Sequence, residues 1–311
     1  MLLNEILGIK YPFIQGAMAR ISSGAFAAAA SNSGGLGVIA AGGTDVDGLR
    51  REIRMCRSLT DRVFGVNIML MHPRAQDMAE VSAEEKVPVI TTGAGNPAPY
   101  ISMWHEVGSK VFPVIPSVAL AKRMEKFGAD GVIAEGTESG GHVGELTTMA
   151  LVYQVVQSVN IPVVAAGGIA SGSQYLAALA LGAVGAQIGT CLLATEECPI
   201  HDNYKQALLR AKDIDTVVTG RITGTPVRIL KNAMAREYLR REAAGATREE
   251  LEKYTLNSLS KAVEEGDVKN GSLMAGQVSG QIKEIKTIAQ VFEDIYSQSQ
   301  DRFQVLKEEL V

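Results

Sequence analysis

The residues best suited to chemistry lie in one glycine-rich stretch, Glu135-Gly136-Thr137-Glu138-Ser139-Gly140-Gly141-His142-Val143-Gly144-Glu145. Imidazole gives or takes a proton near neutral pH, so a histidine on a mobile loop is placed for acid–base or hydrogen-bonding work. A structural histidine would sit inside a regular element, held by its neighbours; His142 is surrounded by glycines. His72 follows a short apolar run beside Pro73 and could line the mouth of a site, whereas His105 and His201 read as surface or structural residues. Two further turns, Ala165-Ala166-Gly167-Gly168-Ile169 and Gln187-Ile188-Gly189-Thr190, each close a β-rich run. Glycines there let main-chain N–H groups approach an anion such as a phosphate, although tight turns alone would also use them.

Other motifs are weaker. Gly35-x-Gly37-x-x-Ala40 and Gly93-x-Gly95-x-x-Ala98 imitate a dinucleotide fingerprint, but the first enters its strand and prolines alter the second, whereas the fingerprint must leave a strand and open a helix. No residues stand at metal-ligand spacing, so no metal site is expected. Gly-x-Ser-x-Gly is absent, which leaves no esterase elbow. Cys191 follows the Gly189-Thr190 turn without a basic neighbour in sequence and reads as packing.

These residues need elements to hold them. Apolar runs at Tyr11–Gln15, Leu36–Ala40, Val63–Leu70, Val87–Thr91, Lys110–Ile115, Gly131–Ala134, Ile161–Ala165 and Ala186–Ile188 do not alternate with polar residues, as in strands buried on both faces. Helical spacing fills the intervals, for example Ala25–Ser33, Val118–Lys126 and Ser173–Leu181. Eight βα repeats predict a (β/α)₈ TIM barrel with its site in the carboxyl-end loops, and put the phosphate turns after the seventh and eighth strands, where such barrels bind phosphate. The barrel is expected over residues 1–200. Residues 201–278 are charged and helical with few strand signals and read as a helical cap, with Ala235–Tyr254 a pair of helices joined near Gly245. Residues 279–311 read as one or two amphipathic helices packed back on the barrel.

Composition narrows the classes. The 311 residues are 46% hydrophobic and 21% charged, with net charge −4, an ordinary globular make-up. No basic stripe suggests nucleic acid. Three cysteines without a CxxC pair fit a reducing cytosol rather than a disulfide framework. No signal peptide and no apolar span of about 18 residues is visible, so a cytoplasmic protein without membrane contact is expected.

Taken in order, Gln15-Gly16-Ala17-Met18-Ala19, Phe64-Gly65-Val66-Asn67, Thr92-Gly93-Ala94-Gly95-Asn96-Pro97, Gly140-Gly141-His142 and Ala165-Ala166-Gly167-Gly168-Ile169 resemble the nitronate monooxygenase and enoyl-acyl-carrier-protein reductase II superfamily of FMN barrels. Val89–Pro97, Val118–Gly128, Ile133–Met149 and Gly271–Gln277 point to the enoyl reductase branch. The resemblance implies a ping-pong reaction: NADH or NADPH reduces FMN, flavin N5 passes hydride to the β-carbon of a trans-2-enoyl thioester on acyl carrier protein, and a proton reaches the α-carbon. It places Gly16, Ala17, Met18 and Asn67 along the flavin ring and ribityl chain, with Gly93 packed close. Gly167, Gly168, Gly189 and Thr190 would hold the phosphate with Gln187 beside them, and Glu135, Gly140, Gly141 and Ala166 complete the cofactor set. His142 matches the family's site histidine and would polarise the thioester carbonyl, supply the proton or position nicotinamide. Met274 and Gln277 match a motif that returns over the flavin beside the acyl channel. A homodimer and stimulation by a monovalent cation are implied as well.

The chain departs from the enoyl reductase pattern at Ala17, where glycine is usual, and at Cys191-Leu192, where Arg-Phe is usual. Three rival readings follow. A nitronate monooxygenase would use the same flavin and histidine with oxygen. A barrel of the inosine-monophosphate dehydrogenase type would need a nucleophilic cysteine in the loop after the sixth strand, which holds His142 instead. A silent flavin- or nucleotide-binding module would leave His142 without work.

Overall fold

The structure is a computed structural model that describes residues 1–310. Eight short strands run parallel in the sheet: Phe13–Gln15, Gly37–Ala40, Phe64–Met69, Val89–Gly93, Lys110–Ile115, Val132–Glu135, Val163–Ala166 and Gly185–Ile188. Each pairs with its neighbour in chain order, the first also pairs with the eighth, and a parallel bridge between Ile14 and Leu36 closes the ring. The chain folds as the TIM barrel that the buried, non-alternating runs predict, with strand bounds within two or three residues of those read from sequence.

The barrel interior is a column of apolar side chains, among them Ile14, Leu36, Val38, Val89, Phe112, Ile133 and Val164. The first helix, Leu3–Leu7, plugs its amino end with Leu3 and Leu7, and Leu3 N donates to Val184 O (2.7 Å). The barrel helices start where side chains cap them: Ser23, Asp45, Ser117 and Ser171 each accept a main-chain N–H of the first turn. Glycines of the first dinucleotide-like motif serve packing, since a Cβ on Gly37 would stand 1.8 Å from Ala27 O and one on Gly35 would strike Phe292.

Past the eighth strand the segment expected as a cap contains helices Asp202–Arg210, Ala233–Ala243, Arg248–Thr255 and Ser258–Val263, and Gly245 turns between the second and third with φ +84°. The cap also contains a hairpin that the sequence reading missed: Thr216–Thr219 pairs antiparallel with Val227–Leu230. Ile229, Met234, Ala235, Tyr238 and Leu251 form a small core of its own. The final segment is a single helix, Ile288–Leu310, whose first turns pack Phe292 against Phe13 (ring centroids 5.7 Å) and Ser299 against Gly172. No helix among the described residues is long and apolar enough to cross a membrane.

Candidate active site

The carboxyl ends of the strands set most of the site. Gly16 follows the first strand, with its N–H on Ile188 O (2.8 Å), and a Cβ there would stand 3.5 Å from the Gln187 side chain. Gln15 beneath it is fully buried and spans to Ser22 Oγ (2.8 Å) and the N–H of Val38 (2.9 Å), which shapes the first loop. Ser22 Oγ also accepts from Met18 N (2.9 Å). Ala17 and Met18 are half-buried beside this loop, and the Met18 sulfur lies 3.9 Å from where a Gly189 Cβ would be. Asn67, within the third strand, places its amide nitrogen on Thr91 Oγ1 (2.9 Å). Gly93, at the end of the fourth strand, faces open space: an added Cβ would meet nothing within 4 Å.

The loop after the sixth strand differs from the flexible loop expected. Gly141 and His142 form a short strand on the edge of the cap hairpin, with Gly141 opposite Arg228 and His142 opposite Val227. Val143 N donates to Pro226 O (3.2 Å), and Arg221 pairs with Glu145. The β-branched run of Val227–Leu230 offers a free edge, and the loop's main chain fills it. His142 itself stays exposed at the mouth, and its ring has no hydrogen-bond partner among the described residues. Burial of its surroundings lowers its pKa from the ordinary 6.5, so the ring is neutral at pH 7. The other three histidines have local partners: His72 Nδ1 accepts from Arg74 N (3.1 Å), His105 meets Asp130 (2.9 Å), and His201 Nδ1 accepts from Asn203 N (3.1 Å).

Glu135 ends the sixth strand and accepts from Ser139 Oγ (2.9 Å). Burial pushes its carboxyl up to about 7, against the smaller opposing effect of that hydrogen bond. Burial likewise holds the Cys191 thiol at about 12, so no thiolate nucleophile forms there.

Gly167 and Gly168 both have positive φ (+92° and +75°), and they follow the buried Ala166. Their missing side chains also make room for the sixth-strand loop: a Cβ on Gly167 would press on Gly136 O (2.8 Å), and one on Gly168 would collide with the Glu138 carboxylate. Glu138 was not anticipated as a site residue. It accepts from Thr148 N (2.9 Å) at the start of helix Thr148–Val156, while Thr148 Oγ1 donates to Gly167 O (2.9 Å), so the two loops lock together. The legible clue was a carboxylate ten residues before a helix start, which is too common a pattern to single out.

Residues 274–277 return over this face. Gly276 N donates to Thr190 Oγ1 (2.9 Å), and Gln277 N donates to Glu138 O (2.9 Å). Met274 bridges Ile229, its carbonyl accepts from Tyr204 (2.7 Å), and its sulfur would lie 3.6 Å from a Gly141 Cβ. The structure thus joins His142, Gly140, Gly141, Met274, Gln277 and Thr190 in one strap-and-loop assembly. Gly140 faces the strap rather than an open cleft, because a Cβ on it would come within 2.7 Å of the Ala275 main chain. The Gln277 side chain is exposed.

These residues fit the FMN that the sequence resemblance implies. Two half-buried polar ends at the mouth, the Gln187 amide and the Asn67 amide oxygen, have no hydrogen-bond partner among the described residues, and Gly93 leaves room for a flat ring system. Gly167 and Gly168 follow the seventh strand with φ values that side chains rarely adopt, at the position where barrels of this kind bind phosphate.

Comparison with known proteins bears on the same assembly. A model of the nitronate monooxygenase family matches residues 1–298. The chain belongs to the nitronate monooxygenase family. The structure of FabK from Thermotoga maritima superposes with a TM-score of 0.96 at 46% identity, covering 99% of this chain and 98% of that one. A nitronate monooxygenase of Paraburkholderia phytofirmans is 32% identical over 279 residues, 74% of this chain and 76% of that protein. A (3aS,4S,5R,7aS)-5-hydroxy-7a-methyl-1-oxo-octahydro-1H-indene-4-carboxyl-CoA dehydrogenase of Mycobacterium tuberculosis is 35% identical over 235 residues, 75% of this chain, and the match spans 66% of that relative's length. Family membership makes this chain an oxidoreductase.

Proposed function

We propose that this oxidoreductase is an FMN-dependent enoyl-acyl-carrier-protein reductase. The observation that carries the reading is the end-to-end likeness to FabK, at 46% identity. When bound, FMN would relay hydride from NADH or NADPH to the β-carbon of a trans-2-enoyl thioester.

The chain's own residues would then divide the remaining work. Gly16, Ala17, Met18, Asn67, Gly93 and Gln187 would hold the ring and ribityl chain, and Ala166, Gly167, Gly168, Gly189 and Thr190 the phosphate. The neutral ring of His142 would donate a hydrogen bond to the thioester carbonyl, which draws charge toward oxygen as hydride arrives at the β-carbon. Glu135, with a carboxyl near pH 7 on the same loop, is a group that can exchange a proton with the site. Met274 and Gln277, on the strap, would border the acyl chain. The same reading implies a cytoplasmic homodimer with a barrel over residues 1–200 and a substrate-covering cap over 201–278.

A second reading, nitronate oxidation with oxygen, is favoured by the family match and by the relative from Paraburkholderia phytofirmans. Anaerobic absorbance of the FMN-loaded protein separates the two. Bleaching of the flavin band by NADH or NADPH, then recolouring on addition of a crotonyl thioester, is the expected result. A flavin that ignores the thioester but turns over a nitronate with oxygen would replace the first reading with the second.

A further inference from the structure

Arg228 is 6% exposed, yet its guanidinium meets no carboxylate within ion-pair distance among the described residues. Burying a cation without a counter-charge is costly unless its donors find oxygen acceptors. Here they find neutral ones: Nε donates to Thr137 O (3.0 Å) and Nη1 to Thr216 Oγ1 (3.1 Å). The main chain of the same residue pairs with Gly141, and the preceding residue, Val227, pairs with His142. Arg228 therefore grips the loop after the sixth barrel strand twice, by its side chain at Thr137 and by its backbone at Gly141, just before His142. Among the described residues Thr137 has little else to hold it: its hydroxyl is buried without a partner, and its N–H donates to Leu146 O (2.7 Å).

The chemistry explains why arginine stands here. A planar guanidinium carries five donors in a fixed fork and can bond two oxygens on different elements at once, which a lysine ammonium does with less directional control. The other polar tether between hairpin and loop, Arg221 with Glu145, is exposed at both ends and belongs to a weak class of interaction.

We propose that Arg228 is a positioning residue: it fixes the loop over residues 137–142 to the cap hairpin, so that His142 stands at the barrel mouth, and it governs turnover without touching substrate. The proposal rests on the reading of His142 given above.

The test is amide hydrogen exchange over residues 136–147 of the FMN-loaded protein, run beside steady-state kinetics with the enoyl thioester. Arg228→Met keeps length and apolar contact but removes every donor. It is expected to speed exchange in this segment at least about tenfold, as the loss of a charge-assisted hydrogen bond should. Barrel strands should exchange as in the wild type, with kcat about tenfold lower and KM changed by less than about threefold, the split expected when geometry at the reacting centre is lost and binding is not. Arg228→Lys, which retains one donor for Thr137 O, should fall between the two on both readouts. Arg221→Ala should leave both near wild type. Unchanged loop exchange in Arg228→Met would overturn the proposal, and so would faster exchange with unchanged turnover. If Arg228→Met does not fold, Arg228→Lys decides by the same two readouts. A His142→Ala control keeps the two ideas apart: normal turnover in that variant would remove the role of His142, while the exchange arm still judges the tether.

Discussion

At the scale of single residues, desolvation is the leading cause of the pKa shifts at His142 and Glu135, two groups of the candidate site. Among the described residues, His142 is the histidine whose ring has no hydrogen-bond partner, and desolvation lowers its pKa from the ordinary 6.5, which favours the neutral ring. His142→Ala is expected to retain FMN, judged by the flavin spectrum, and to lose at least about tenfold in turnover, the lower end of acid–base contributions; unchanged turnover would remove the residue from the mechanism. Glu135 offers a test that needs no substrate. Its carboxyl titrates at about 7 in the fold against an ordinary 4.5, so the folded chain binds more protons than the unfolded chain between those values. The stability it contributes is complete below pH 4.5 and is lost as pH rises through about 7. Glu135→Gln, which stays neutral, should therefore flatten the fall in melting temperature of the FMN-free protein over that window. Parallel melting curves for wild type and variant would show that the carboxyl does not carry the shift.

At the scale of elements, what the sequence made legible followed from local pattern, and what it hid followed from long-range pairing. The strands at Lys110–Ile115 and the helix at Val118–Lys126 read correctly to the residue, because apolar runs buried on both faces and a capped 3.6-residue period are written in neighbouring positions. The positions of the candidate residues were legible for the same reason: Gly16, Gly93, Gly167 and Gly189 stand at or just past the carboxyl ends of their strands, and Asn67 within the third. The hairpin was hidden by the charge of the segment around it, although Thr216–Thr219 and Val227–Leu230 are β-rich runs separated by a turn. Gly220 has φ +77° in that turn, and a Cβ on it would stand 2.2 Å from Thr225 O. The pairing of Gly141–His142 with that hairpin joins positions 85 and 87 residues apart, and no local pattern encodes such a contact. The strap is equally non-local, and it makes Gly140 a sensitive position. Gly140→Ala would drive a methyl group into the Ala275 main chain, at an expected cost of about 1–3 kcal/mol in denaturant unfolding. It should also raise KM for the thioester while leaving flavin reduction by NADH or NADPH comparatively intact. The opposite pattern, slow flavin reduction with normal thioester KM, would place the strap against the nicotinamide instead.

At the scale of the whole molecule, chain outside the eight repeats packs as a partial lid at each end of the barrel. Leu3–Leu7 packs at the amino end, and the strap over residues 274–277 crosses part of the carboxyl end, leaving the mouth beside Gly93 and His142 open. The last helix belongs to neither lid; it clamps the side of the barrel, and only part of it does so. Phe292 is wholly buried against Phe13 and the space left by Gly35, whereas Phe303 is 50% exposed and Leu310 80% exposed. Residues 300–310 contribute no buried side chain. Stability should divide accordingly. Phe292→Ala removes a large ring from a packed interior and is expected to cost about 3–5 kcal/mol in denaturant unfolding, because the backbone around Gly35 and Phe13 is fixed by the closing bridge of the barrel and cannot collapse into the space. A chain ending at Gln300 loses only exposed turns and should unfold within about 0.5 kcal/mol of the full-length protein. If the shortened chain instead unfolds far more easily, at a midpoint that rises with protein concentration in the full-length form, the exposed Phe303, Val305 and Leu310 are buried against another subunit, and the helix is an assembly element as well as a clamp.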